Sequence, residues 1–262
     1  MKNIFRNILI GGLAVTMVAS CDLNLVPSTS IVYEEGKPLF LSKRDIAEFQ
    51  NGVIATYRGL HYGSSWQTVE VMTECFNASI DFGNNYGFVH RLGSGFLASD
   101  DYTTGIWAGH YGAIKNYNIA IEQCDIVEDE ALKADANVLK GIALFCRASS
   151  YLTLARHFSA DYDPATAATE LAVPLILVYD QLEKPVRATL QEVYDQIIAD
   201  LDEAEALLSE AGSINLNGTA VNLAGAPKSL APTVDAVKAL KARYYLDVHE
   251  YELAAESAMD VI

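Results

Sequence analysis

Cysteine is scarce in this sequence. Four occur among 262 residues, at positions 21, 75, 124 and 146, and no two stand at the Cys-x-x-Cys spacing of zinc knuckles and dithiol redox loops. With Cys21 assigned to another role below, three thiols remain. They allow one bridge at most, so a disulfide scaffold is excluded, and buried free thiols on apolar helix faces are the reading preferred. Cationic residues are also few. The 18 Lys and Arg face 34 Asp and Glu, a net charge of −16, and a surface of that sign repels phosphate backbones. Nucleic acid is therefore excluded as a partner.

The sequence also lacks signatures of catalysis. It contains no His-Glu-x-x-His helix, P-loop or Gly-x-Ser-x-Gly elbow. Gly93-Ser94-Gly95 with Ala98 imitates a dinucleotide glycine loop, but Ser99-Asp100-Asp101 follows where a helix should open. Asp161 and Asp163 lack the glycine and glutamate that complete a calcium loop. Acid pairs such as Asp100-Asp101 and Asp200-Asp202 would serve glycoside hydrolysis only by facing each other across a cleft. The reading is a non-enzyme with no catalytic residue, cofactor or metal.

Long apolar runs are missing too. Ile8 to Val18 is one of eleven residues, short of the roughly 20 that span a bilayer, and no other stretch reads as long enough. Behind the basic Lys2 and Arg6 it fits a secretory leader. Loss of those two cations with the leader takes the net charge from −16 to −18. The segment ends in Val18-Ala19-Ser20-Cys21, small residues before a cysteine, as in a bacterial lipobox. This predicts a signal peptide over 1–20 and a Cys21 thiol carrying diacylglycerol, a palmitate-type anchor that holds a soluble body on a bilayer. A Pro-, Ser- and Thr-containing tether over 21–41 and a helical domain over 42–262 are expected to follow.

Helical signals dominate the rest. Ser42 with Asp45, and Thr189 with Glu192, are capping boxes ahead of apolar residues at helical spacing. Ile46, Phe49, Val53, Ile54, Tyr57 and Leu60 form one face. Trp107, Tyr111, Ile114, Asn118 and Ile121 form another, which assigns Trp107 to the core. Leu139 to Ala155 reads as a longer helix. The helix opened at Thr189 is expected to end at Gly212, with a linker over 213–232. Gly59 to Gly105 shows no regular period, with short strands expected around 68–73 and 88–92. Ala148 to Leu154 recurs as Ala242 to Val248 in its small, aromatic and aliphatic positions. The spacing of Ala242, Tyr245, Tyr251, Ala254 and Ala258 resembles a tetratricopeptide repeat. A mainly α fold of such hairpins with long irregular loops is predicted.

A lipobox, Asp22 to Ser28 after it, and tetratricopeptide-like helices together resemble the SusD/RagB family of outer-membrane nutrient-binding lipoproteins. Trp107-x3-Tyr111-x2-Ile114, Arg147-Ala148-x2-Tyr151 and Val173-Pro174-Leu175 are similar to family motifs. The most specific is Arg187-x-Thr189-x3-Val193-Tyr194-x2-Ile197-x2-Asp200-Leu201. The resemblance implies a SusD-like α/α superhelix. It also implies a non-enzyme that captures oligosaccharides, or peptides in RagB-type branches, for a TonB-dependent transporter at the outer membrane, facing the cell surface. Family members are longer, so the chain, ending at Ile262 in an apolar helix, is expected to be an N-terminal portion. A tetratricopeptide scaffold binding only proteins is the other alternative.

Sugar rings present flat C–H faces that stack on aromatic rings, and their hydroxyls need planar amide, carboxylate or guanidinium partners. Within the irregular stretch, Trp66 is the first stacking candidate, followed by Tyr62, Tyr86 and Phe88. Asn84, Asn85 and Arg91 are the polar partners. Each ring taken singly is equally well explained as local core.

Overall fold

Ser42 opens the first helix. Its hydroxyl accepts the Asp45 amide at 3.3 Å and donates to Asp45 Oδ2 at 2.9 Å, while the same carboxylate oxygen takes the Leu41 amide at 3.0 Å. One orphan amide of the first turn and the amide ahead of the cap are thereby satisfied. A computed structural model describes residues 36–62, 64–73, 75–78, 86–91, 97–180, 182, 184–218 and 231–262. Contacts divide the chain into Met1–Leu39 and Phe40–Ile262. The first is described only from residue 36. Cys21, Asn84, Asn85, the leader, the Gly93-Ser94-Gly95 imitation of a dinucleotide loop and most of the tether lie outside the described residues.

The second unit runs α1 (Lys43–Tyr62), α2 (Ser64–Met72), α3 (Gly87–His90), α4 (Asp101–Asp125) and α5 (Glu130–Phe158). It continues through β1 (Leu171–Pro174), β2 (Arg187–Thr189), α6 (Leu190–Gly218), α7 (Val234–Asp247) and α8 (Tyr251–Met259). It is mainly helical.

Several local expectations are corrected. The strand expected at 68–73 belongs instead to α2, because Thr68 and Val71, three apart, are both buried on one helical face. The strand expected near 88–92 is one helical turn over its described part, closed by His90 N–H to the Tyr86 carbonyl at 2.8 Å. Helix α6 passes through Gly212 to Gly218, so glycine alone does not end it. A helix does open at Asp101. Asp100 caps it by accepting the Tyr102 amide at 3.0 Å, which places a carboxylate where a pyrophosphate would need free amides.

Helix α5 is the central element and packs against α6, α4 and α1. Leu139, Ile142, Ala143, Leu154 and Tyr151 are wholly buried along it. By length and composition α5 would qualify as a membrane span, contrary to the reading that no second stretch is long enough, yet its surface is spent on the protein core. Gly141 permits the close approach of α6: a Cβ there would meet Leu208 Cγ at 2.9 Å. Thr189 and Glu192 form the second capping box, with the Thr189 amide on Glu192 Oε2 at 2.8 Å and the Glu192 amide on Thr189 Oγ1 at 3.2 Å.

The two repeat copies lie on α5 and α7, and α7 pairs with α8 as a helical hairpin. β1 and β2 form an antiparallel ribbon, Leu171 opposite Thr189 and Pro174 opposite Arg187. Cys124 and Cys146 are free and buried, and burial drives both thiols up from their ordinary value. Cys75 departs from the expectation: it is free but exposed. Trp107 departs as well. Ile106, His110, Ala113 and Tyr117 take the buried face of α4, which leaves Trp107 at the rim, 36% exposed, its ring edge-on to Phe158 at 5.0 Å.

Candidate functional site

Two of the predicted aromatic residues, Tyr86 and Phe88, meet at Tyr102 where α3 and the start of α4 come together. Tyr86 anchors the group. Its ring stacks on Tyr102 at 4.2 Å, and its hydroxyl donates to Gln67 Oε1 on α2 at 3.0 Å. The residue holds a left-handed φ of 60°, at the entrance to α3. Phe88 approaches the same Tyr102 ring at 5.8 Å. His90 Nδ1 lies 3.4 Å from the Val71 carbonyl, tying the far end of α3 to α2. Tyr86 and Phe88 are half-buried members of this cluster, so they hold the region together and offer little free face.

Trp66 is placed differently. It is 47% exposed and meets Phe76, also 47% exposed, edge to face at 5.4 Å. One ring braces the other while both keep surface toward solvent, an arrangement suited to a flat apolar ligand face. Tyr62, 88% exposed at the end of α1, and Arg91 are exposed as well.

Beneath this region lies a cleft of about 230 Å³, lined by Thr68 and Met72 of α2, Leu97, Ile106 of α4, and His157 and Phe158 of α5. Its walls are mostly apolar and include no carboxylate. Phe76, Tyr102, Gln67 and the α5 end at His157 and Phe158 were not among the candidates. Phe76 and Tyr102 carried an available signal, membership of the same aromatic stretch. Phe158 carried none, since it lies far downstream of the aromatic stretch and arrives by packing alone.

The motif residues form a separate buried lattice. Asn118 Nδ2 donates to the Ile176 carbonyl at 2.9 Å. The Tyr151 hydroxyl both donates to the Ile176 carbonyl at 2.8 Å and accepts the Ile176 amide at 2.7 Å. Tyr111 donates to the Pro174 carbonyl at 2.7 Å, and Arg187 Nη2 to the Leu171 carbonyl at 2.8 Å. These side chains satisfy the backbone of the Val-Pro-Leu segment, so their role is architectural. Asp200 is 2% exposed and committed to this lattice, and Asp100 to its cap. Among the described residues, neither acid pair lines the cleft. Asp163, from the weak calcium pattern, accepts the Ala165 amide at 2.9 Å.

Comparison with known proteins now places the chain. A family model described as SusD-like, starch-binding and associating with the outer membrane matches residues 27–222. The chain belongs to this SusD-like family. Among solved structures, a SusD superfamily protein from Bacteroides thetaiotaomicron is 23% identical with a TM-score of 0.61, over 82% of this chain and 45% of its own. A SusD-like carbohydrate binding protein from Bacteroides vulgatus is 21% identical with a TM-score of 0.63, over 84% and 44%. A laminarin binding SusD-like protein is 16% identical with a TM-score of 0.56, over 82% and 42%. The chain thus spans a little under half the length of these structures. No curated protein matches it.

Proposed function

We propose that this chain is a non-catalytic, glycan-binding lipoprotein of the outer membrane. In this reading lipid on Cys21 holds it at the cell surface, and it passes oligosaccharide to a TonB-dependent transporter. The observation that carries the reading is the half-exposed Trp66 of α2 braced by Phe76 just beyond it, in a chain of a family described as starch-binding. A braced ring loses little freedom when a sugar lies on it, so the stacking energy is retained in binding. The family description also supports outer-membrane association. The small residues before Cys21 support lipidation, and the resemblance supports the transporter.

Isothermal titration of the mature chain with maltoheptaose and with laminarin fragments tests the reading. Binding without release of reducing ends is expected, and Trp66→Ala should weaken it about tenfold, near 1.4 kcal/mol. Release of reducing sugar would assign a hydrolase instead. Capture of peptides or of a protein partner with no response to any glycan would favour the RagB-type or scaffold alternatives. Mass spectrometry of the mature N-terminus checks the acyl chains on Cys21, and co-purification of a large β-barrel checks the transporter.

A further inference from the structure

The end of α5, the loop after it, α6 and the α7–α8 turn enclose a second cleft, of about 400 Å³, that shares no lining residue with the first. Arg156, Asp161, Tyr162, Tyr194, Asp247 and His249 line it. Its volume falls within the usual range for small-molecule sites. Arg156 Nε donates to Asp247 Oδ2 at 2.6 Å, and Nη2 bonds the other carboxylate oxygen, so these two charges cancel in place. Tyr194, 4% exposed, backs the wall, with Tyr162 at 4.9 Å on one side and Tyr244 at 5.9 Å on the other. Tyr162 is the half-exposed ring of the three, and Asp161 beside it is exposed.

His249 gives an independent indication. Its φ is 65°, the left-handed region, at the position that follows α7. The Glu250 amide bonds the Tyr245 carbonyl at 2.8 Å, which makes this a helix-terminating turn where glycine is strongly favoured. A histidine there costs stability, and side chains kept in such backbone positions concentrate at functional sites. Here the imidazole stands on the rim of the cleft.

The chemistry defines the ligand. An aromatic face, the exposed Asp161 carboxylate and an imidazole suit a ring with C–H faces and hydroxyls. Asp161, with Asp195 close enough to act on Tyr162 and Tyr244, leaves the cleft negative once Arg156 and Asp247 have cancelled. Uronate and sulfated sugars are repelled by that potential. We propose that this cleft is a second saccharide subsite for an uncharged sugar ring, stacked on Tyr162 with hydroxyls on Asp161 and His249. The proposal rests on the glycan-binding reading above, with a site distinct from Trp66.

Titration of the full mature chain with maltoheptaose and laminariheptaose tests it, in wild type and in a Trp66→Ala background. Asp161→Asn and Tyr162→Ala should each lower the residual affinity of that background about tenfold. His249→Gly should raise Tm while weakening the same binding, a split that a purely structural histidine would not produce. Asp161→Asn, on an exposed side chain, keeps the test valid should Tyr162→Ala unfold the loop. If all three bind as their parent does while Trp66→Ala alone weakens binding, the second subsite is wrong and the first stands. If Trp66→Ala has no effect and the other three do, the second stands without the first. No binding of either glucan by wild type overturns both. Equal affinity for an oligogalacturonate overturns the assignment to uncharged sugars.

Discussion

The guanidinium of Arg147, on α5, grips the carboxylate of Asp200, on α6, through two parallel hydrogen bonds: Nε to Oδ2 at 2.8 Å and Nη2 to Oδ1 at 2.7 Å. Both side chains are over nine-tenths buried. The remaining Nη1 donates to Asn118 Oδ1 at 3.0 Å, and Gln196 donates to Asp200 Oδ1 at 2.6 Å, so each member of the buried pair has a further hydrogen-bond partner. A fork against a carboxylate in this geometry joins three helices at one point.

Removing one member leaves the other charged, buried and unpaired. Arg147→Met or Asp200→Asn should each lower unfolding free energy by about 3–5 kcal/mol. The double replacement Arg147→Met with Asp200→Leu should recover much of that loss, because no orphan charge remains. Urea denaturation at neutral pH measures all three. A single variant within about 1 kcal/mol of wild type would show that the pair does not carry the packing of α4, α5 and α6.

Gly141 and Gly109 invite a paired comparison. At Gly141 an added Cβ meets Leu208 Cγ and Leu207 Cβ, branch and stem atoms of side chains on α6. At Gly109 it meets only Leu60 Cδ2, the far end of a half-buried side chain. Gly141→Ala should destabilise by about 1–3 kcal/mol through overpacking. Gly109→Ala should be neutral or stabilising by up to about 1 kcal/mol, since alanine is the better helix former and Leu60 has room to turn. Equal effects at the two sites would contradict the close α5–α6 contact.

His61 and His110 make stability depend on pH. Their rings meet at 5.6 Å, the Ser149 hydroxyl lies 3.2 Å from His61 Nε2, and neither ring nitrogen of His110 has a hydrogen-bond partner among the described residues. Burial, then the Arg243 charge, lowers His61 to about 4; burial, then His61 and His157, lowers His110 to about 3. In the unfolded chain both titrate near 6.5. Below that value the unfolded state therefore binds protons that the native state refuses. The histidine contribution is full above pH 6.5 and is lost progressively toward pH 4 and 3, at up to about 1.4 kcal/mol per pH unit for each. Denaturation between pH 6.5 and 5 should show this slope. His110→Phe should roughly halve it without loss of stability at neutral pH, because an unpaired buried nitrogen leaves with it. An unchanged slope would refute the assignment.

Legibility in the sequence followed distance along the chain. The capping boxes at Ser42–Asp45 and Thr189–Glu192 were readable because the partners sit three residues apart and bond within one turn. The irregular stretch was readable as a cluster of rings and not as structure. Its two supposed strands became helical segments, since α2 buries Thr68 and Val71 at helical spacing. Of the site candidates, Trp66 is presented outward, while Tyr86 and Phe88 serve the cluster around Tyr102.

From composition, short spacings and family motifs, the sequence alone determined an acidic, mainly helical chain with tetratricopeptide-like hairpins. Those properties depend on neighbours within a few residues, where backbone geometry leaves few alternatives. Only the tertiary structure decided that Trp107 stands at a rim, that Asp200 is a buried anchor, and that His249 and Tyr162 border one cleft. Each of those outcomes depends on helices distant in sequence closing on one another, and packing rather than local preference sets which side chains meet.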